Sequence, residues 1–266
     1  MVYLKTEEEI QQIKVSCQLV SQTLAEIAKI LRPGVTGLEL DALAGTFIQD
    51  HKATPAFKGY HGFPANLCIS LNEQVVHGIP NNLPIKEGDV VSVDCGVQFN
   101  GFFGDSAYSF AVGDVHDGVL NLLKATLKSL WLGIGQAIAG NRIGDISNAI
   151  QEYTEVHHHY GVVRELVGHG IGRQLHEPPD VPNFGKKGKG MVLKEGLVIA
   201  IEPMINLGTH RVKQLKDGWT IATQDKKTSA HYEHTIVVRK DRAECLSDHT
   251  IIETSVKNNK ELTEIA

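Results

Sequence analysis

Ile85-Lys86-Glu87-Gly88-Asp89-Val90-Val91-Ser92-Val93-Asp94 and, further along the chain, Leu193-Lys194-Glu195-Gly196-Leu197-Val198-Ile199-Ala200-Ile201-Glu202 match position for position. Each is a Lys-Glu-Gly turn that leads into an apolar run and ends on an acid. The tripeptide alone is a common turn before a strand, but the helical patterns upstream correspond as well. Gly37 to His51 resembles Gly144 to His157 in spacing and apolar placement. A repeat on this scale changes the architecture expected of the chain. The order helices, strands, helices, strands is written twice, which predicts one α/β (α+β) domain over 1–266 made of two pseudo-symmetric halves, about 1–115 and 116–250.

The local signals outside the repeat agree. Thr6 and Glu9 form a capping-box pattern, and apolar residues recur at Ile10, Ile13, Cys17, Val20, Leu24, Ile27 and Leu31 until Pro33-Gly34 stops the helix. Thr36 and Glu39 repeat the cap before a second helix that runs toward His51. Leu67 to Leu71, Val90 to Val93 and Ser106 to Phe110 read as strands, and helices return from Val119 to Ile138 and from Asp145 to His157. The tail from Val256 to Ala266, mixed in charge and weakly apolar, is expected to be partly disordered.

Alternation along a strand puts Val90, Ser92 and Asp94 on one face in the first copy and Val198, Ala200 and Glu202 on one face in the second. Ser92 and Ala200 are small and leave room above the sheet. A carboxylate in such a place is costly unless it meets a cation or is protonated. Asp105, expected to open a strand after the Gly101-Phe102-Phe103-Gly104 turn, and Glu233, in the run His231 to Val238, add a second acid to each half. His169 is flanked by Gly168 and Gly170, which let the backbone approach a crowded centre. Four carboxylates and one imidazole make a hard, oxygen-rich ligand set suited to Mn, Fe(II), Co or Zn, and two divalent ions balance the four charges.

A length of 266 residues with 42% hydrophobic content suffices for a full core. The N-terminus has no signal-peptide apolar region and the chain no long apolar run, so a cytoplasmic location and no membrane span are expected. The four cysteines, Cys17, Cys68, Cys95 and Cys245, form no C-x-x-C pair, which fits a reducing compartment. A net charge of -5 gives no general basic field, and Lys186-Lys187-Gly188-Lys189 reads as a solvated loop, so nucleic acid is not expected as a substrate. His157-His158-His159 does not read as a metal site, because adjacent helical residues point about 100° apart.

Further stretches carry a family resemblance over nearly the whole chain. They are Gly59-Tyr60-His61-Gly62-Phe63-Pro64, Leu71-Asn72-Glu73 to His77-Gly78-Ile79-Pro80, Asp94-Cys95-Gly96, Gly104-Asp105, Gly168-His169-Gly170-Ile171-Gly172, His176-Glu177-Pro178-Pro179, Ile201-Glu202-Pro203-Met204 and Tyr232-Glu233-His234-Thr235. With these the sequence resembles the type I methionine aminopeptidases of the M24 metallopeptidase family. The resemblance implies the pita-bread fold, a curved antiparallel sheet backed by helices. It implies removal of the initiator methionine from nascent chains whose second residue is small, by a monomeric enzyme working at the ribosome.

Carried over position by position, the resemblance makes Asp94, Asp105, His169, Glu202 and Glu233 the ligands of two divalent ions, with Asp105 and Glu233 bridging. Glu202 becomes the proton shuttle, and His77 and His176 the histidines that contact the substrate amide and the tetrahedral species formed from it. Tyr60, Phe63, Cys68 and Trp219 become the pocket for an unbranched thioether side chain, with Leu175 a weaker match. Cys68 then lines the pocket and is not a nucleophile. Two alternatives share parts of the pattern: an X-Pro aminopeptidase or prolidase on the same fold, and a relative that has lost its metals. The compact length speaks against the first, and the intact acids and histidines against the second.

Overall fold

The structure, a computed structural model, describes residues 2–265. Helix α1 spans Glu7–Ile30 and begins on the expected cap, where Glu9 N donates to Thr6 Oγ1 at 3.3 Å and Thr6 N donates to Glu9 Oε2 at 3.0 Å. All seven residues of its apolar stripe, Ile10, Ile13, Cys17, Val20, Leu24, Ile27 and Leu31, are 0% exposed. Burial of this stripe, at roughly 1.5–3 kcal/mol per large side chain, ties α1 to the sheet. Helix α2, Gly37–Asp50, starts on a second capping box at Thr36 and Glu39. Helix α3 spans Asp117–Ile134, shorter than expected at its C-terminal end, where Gly135 N donates back to Trp131 O and the chain turns away. Helix α4, Ile143–Gln151, continues through a π-helical turn over Glu152–His157, and α5 spans Thr250–Asn258. His157, His158 and His159 are exposed.

One sheet is built around the hairpin of Val90–Phe99 and Phe102–Val112, with Leu67–Leu71 and Thr54–Pro55 against the first strand and Leu262–Thr263 against the second. The second runs Glu244–Cys245, His234–Val237, Val198–Ile201, Gly168–Gly170 and Glu177–Val181. Every strand pairing within these two sheets is antiparallel, and the strands form the curved, helix-backed sheet of the pita-bread fold. Val91, Val93, Cys95 and Val97 turn into the main core under the helices, which leaves Ser92 and Asp94 on the opposite face.

The two sheets are stitched together beside the acids. Glu233 N donates to Ala107 O at 3.0 Å, Ser106 Oγ to Glu233 O at 2.6 Å, and Thr235 Oγ1 to Asp105 O at 2.8 Å. Backbone and side-chain bonds at this seam fix the height of one strand set against the other. No helix among the described residues is long and apolar enough to cross a membrane.

Three local expectations are corrected. Asp105 does not open its strand; the hairpin turns at Asn100-Gly101, and Asp105 lies inside Phe102–Val112 opposite Gly96. Glu233 is not within a continuous strand but sits between Ser229–His231 and His234–Val237, where its N–H crosses to the other sheet instead of the local ladder. The tail is ordered through residue 265, while residue 266 lies outside the described part. Its weak composition is offset by tertiary contacts: Val256 and Ile265 are buried, Leu262 pairs with Val112, and Asn259 Nδ2 donates to the carbonyls of Ala28 and Leu31 at 2.7 and 2.8 Å.

Candidate metal centre

The hairpin register brings the first two acids together. Asp94 stands opposite Ala107 and Asp105 opposite Gly96, so the carboxyls are diagonal neighbours on one face. On the second sheet His234 stands opposite Ile201, which places Glu233 beside Glu202 one step beyond the ladder. His169 comes in on the neighbouring strand. A Cβ added at Gly168 would overlap the Ala200 carbonyl and one at Gly170 the Pro178 carbonyl, so the flanking glycines are what allow this close approach.

Donor atoms of Asp105, His169 and Glu233 lie within 4.8 Å of one another, and all three side chains are buried. Glu202 Oε1 is 3.6 Å from His169 Nε2. Asp94 Oδ1, Asp105 Oδ1 and Glu233 Oε1 are buried and meet no hydrogen-bond partner among the described residues. Nor does any lysine or arginine there pair with these carboxylates.

Electrostatics follow from that isolation. Burial raises Asp94 to about 7, against the opposing pull of His231 and with Glu202 adding to the rise. Burial alone raises Glu202 to about 8. Asp105 and Glu233 rise well above the usual carboxylate range, first through burial and then through repulsion from the other acids. Burial holds His169 down to about 4, leaving its imidazole neutral and able to ligate. Lone pairs without partners and carboxylates that resist ionisation in the bare fold are what a divalent-cation site presents without its cation. The oxygen and imidazole donors fit hard or borderline divalent metals.

All eleven residues expected at the site line one cavity of about 450 Å³. Tyr60 and His176 are joined by a 2.8 Å contact between the phenol oxygen and Nδ1, and the His176 ring lies edge-on to His169 at 4.2 Å between centroids. Burial, followed by the nearby histidines, lowers His176 to about 3. His77 follows the strand Gln74–Val76 with φ 59, a left-handed conformation that is strained for histidine and common at functional sites. Burial, then proximity to His231, lowers it to about 4. Phe63 and Trp219 meet in a T-shape at 5.2 Å and form the apolar end with Cys68. Burial and the charges of Asp94 and Asp105 push the Cys68 thiol well up, so it is a packing group.

Phe57 and Leu175, the latter the weaker match of the sequence pattern, line the same cavity. His231 was missed entirely, and alternation was the available signal, because it lies two residues before Glu233.

A buried donor cluster of this kind, opening into an apolar cavity on this sheet, defines a metal-dependent hydrolase. Residues 11–240 match metallopeptidase family M24. The chain is 49% identical to the methionine aminopeptidase of Clostridium perfringens over 247 residues, 93% of this chain and 99% of that protein. The crystal structure of methionine aminopeptidase from Rickettsia prowazekii superposes with a TM-score of 0.91 at 41% identity, covering 93% of this chain and all of that one. Prolidase from Pyrococcus furiosus shares the fold alone, with a TM-score of 0.75 at 22% identity over 92% of this chain and 65% of that one. The chain belongs to metallopeptidase family M24, among its type I methionine aminopeptidases.

Proposed function

We propose that this chain removes the N-terminal initiator methionine from nascent proteins whose second residue is small, and that residues 1–266 form a single catalytic domain of two pseudo-symmetric halves, about 1–115 and 116–250. The observation that carries the activity is that one cavity is lined both by Asp94, Glu202 and the clustered donors of Asp105, His169 and Glu233 and by an apolar end closed by Phe63 and Trp219. The aligned Lys-Glu-Gly segments support the halves.

In this reading Asp94, Asp105, His169, Glu202 and Glu233 would hold two divalent ions. When bound, the ions supply Lewis acidity and an ionised water at neutral pH. Glu202 takes the water's proton and returns it to the departing amine. His77 and His176 point polar edges at the scissile amide and stabilise the oxygen on which charge develops. Tyr60 fixes His176 through its hydroxyl. Phe63, Cys68 and Trp219 exclude water and accept an unbranched side chain, which selects methionine over branched or charged residues. Substrates are nascent N-termini presented at the ribosome in the cytoplasm, and the enzyme works as a monomer.

Hydrolysis of a Met-Ala-Ser peptide beside an Ala-Pro-Ser peptide tests this, after chelator treatment and re-addition of Mn, Co, Fe(II) or Zn singly. Metal-dependent release of methionine from the first alone is expected. Release of alanine from the second would move the assignment to an X-Pro peptidase.

A further inference from the structure

One buried side chain at the centre is left out by the five donors and the two outer histidines. His231 is 1% exposed, and its Nε2 stands 3.3 Å from Glu202 Oε2. The other oxygen of the same carboxylate faces His169 Nε2 at 3.6 Å, so Glu202 lies between two imidazoles, one on each oxygen. His231 Nε2 makes no well-aligned hydrogen bond to any group among the described residues. The 3.3 Å contact falls short of a hydrogen bond, as donor–acceptor pairs in resting active sites often do before a bound ligand draws them together.

Its backbone is anchored at the seam between the sheets. His231 N donates to Ser109 Oγ at 2.9 Å, and Ser109 Oγ donates to His231 O at 2.8 Å. Ser109 Oγ in turn meets Ser92 Oγ at 2.7 Å, on the strand that carries Asp94. Across the other edge His231 is in register with Met204, two residues after Glu202. Its Nε2 carries an N–H in the charged ring and in one of the two neutral tautomers. Glu202 Oε2 is the carboxylate oxygen that stands 3.3 Å from that nitrogen.

We propose that His231 is a positioning residue, whose Nε2–H holds Glu202 Oε2 so that Oε1 stays turned toward His169 and the donor cluster. The proposal rests on the reading of Glu202 as metal ligand and proton carrier. It assigns His231 the work that partners of metal ligands do elsewhere, fixing the orientation and basicity of a carboxylate.

His231→Gln and His231→Met are of similar length, and only glutamine carries an N–H. Mn affinity by chelator competition needs no turnover, and kcat and KM on Met-Ala-Ser are read beside it. His231→Met is expected to weaken Mn binding and lower kcat, each by about ten- to a hundred-fold, with KM little changed. His231→Gln is expected to restore most of both. A His231→Met protein that folds as the parent does by circular dichroism and urea midpoint, yet binds Mn and turns over normally, overturns the proposal. So does a glutamine variant that loses as much as the methionine one, because the position then matters through packing. If the methionine variant does not fold, His231→Asn, polar but too short to reach Glu202, must show the same loss of Mn affinity, and normal affinity overturns the idea. Should the parent release no methionine with any metal, the aminopeptidase reading falls, while the Mn comparison still decides the place of His231.

Discussion

Lys5 Nζ lies 2.6 Å from Glu177 Oε2, with side chains only 1% and 5% exposed, and so ties the segment before α1 to the loop that carries His176. Glu177 Oε1 accepts the N–H groups of Arg173 and Gln174 at 2.7 and 3.0 Å, so one carboxylate organises the whole turn. Lys5→Met leaves that carboxylate buried without its cation, and breaking such a pair costs about 3–5 kcal/mol. Urea unfolding is expected to show a loss of that order, and kcat a fall through displacement of His176. Adding Glu177→Gln removes the stranded charge and is expected to recover part of the stability. An unchanged urea midpoint in Lys5→Met would show that the pair is not organising the turn.

Asp94→Ala and Glu233→Ala are expected to abolish turnover together with bound metal, since each removes a carboxylate whose buried oxygen has no other partner among the described residues and whose charge would balance the cations. His77→Ala is expected to lower kcat by about a hundred- to a thousand-fold while metal content stays at the parent level, because it takes away a donor to developing charge and no ligand. Metal analysis of the purified variants beside their kinetics separates the two behaviours. Full activity in Asp94→Ala would sink the two-metal reading.

Removing metal is expected to reverse the pH dependence of stability. In the bare fold Asp94 is raised to about 7 and Glu202 to about 8, with Asp105 and Glu233 also raised, from ordinary values of 3.8 and 4.5. A carboxyl with a raised folded value contributes stability that is fully present below its unfolded value and is lost as pH climbs through the folded one. His169, His77, His176 and His249, lowered from 6.5, act in the opposite sense only as pH falls below 6.5. Between about pH 6.5 and 8.5 the carboxyls therefore dominate, and the chelated protein is expected to melt at progressively lower temperature. Saturating Mn should flatten or invert that slope, because ligands bind metal in their deprotonated form. A melting temperature of the chelated protein that rises across this window would contradict the buried, uncompensated cluster.

Asn259→Ala tests the ordered tail. Its side-chain amide donates to the carbonyls of Ala28 and Leu31 at the C-terminal end of α1, a place where helix carbonyls otherwise lack partners. Loss of both bonds is expected to cost about 1–3 kcal/mol in urea unfolding. An effect within error would mean that water replaces the amide there at no cost.

Much of this molecule is legible locally. The α1 stripe is read from a period of 3.6, and each of its residues is buried as that period requires. The acids and His169 are read from chemistry and alternation, and the cavity gathers them all. Asp105 was displaced from its expected place because a turn at Asn100-Gly101 and one at Gly104 leave nearly the same apolar pattern behind. Glu233 looked like one strand residue among many, because a break in a ladder leaves no mark when both sides are apolar.

What the sequence by itself determined is whatever depends on neighbours along the chain: caps, the helical stripe, strand alternation, the paired Lys-Glu-Gly segments and the kinds of donor available. Only the tertiary structure decided which remote groups meet, as in His231 against Glu202, Lys5 against Glu177, Ser106 against Glu233 and Asn259 against the end of α1. The physical reason is that a period fixes the direction of a side chain relative to its own strand or helix. The distance to a partner far along the chain is set by how two strands register across a seam, and that register is a balance of packing and hydrogen bonds over the whole sheet.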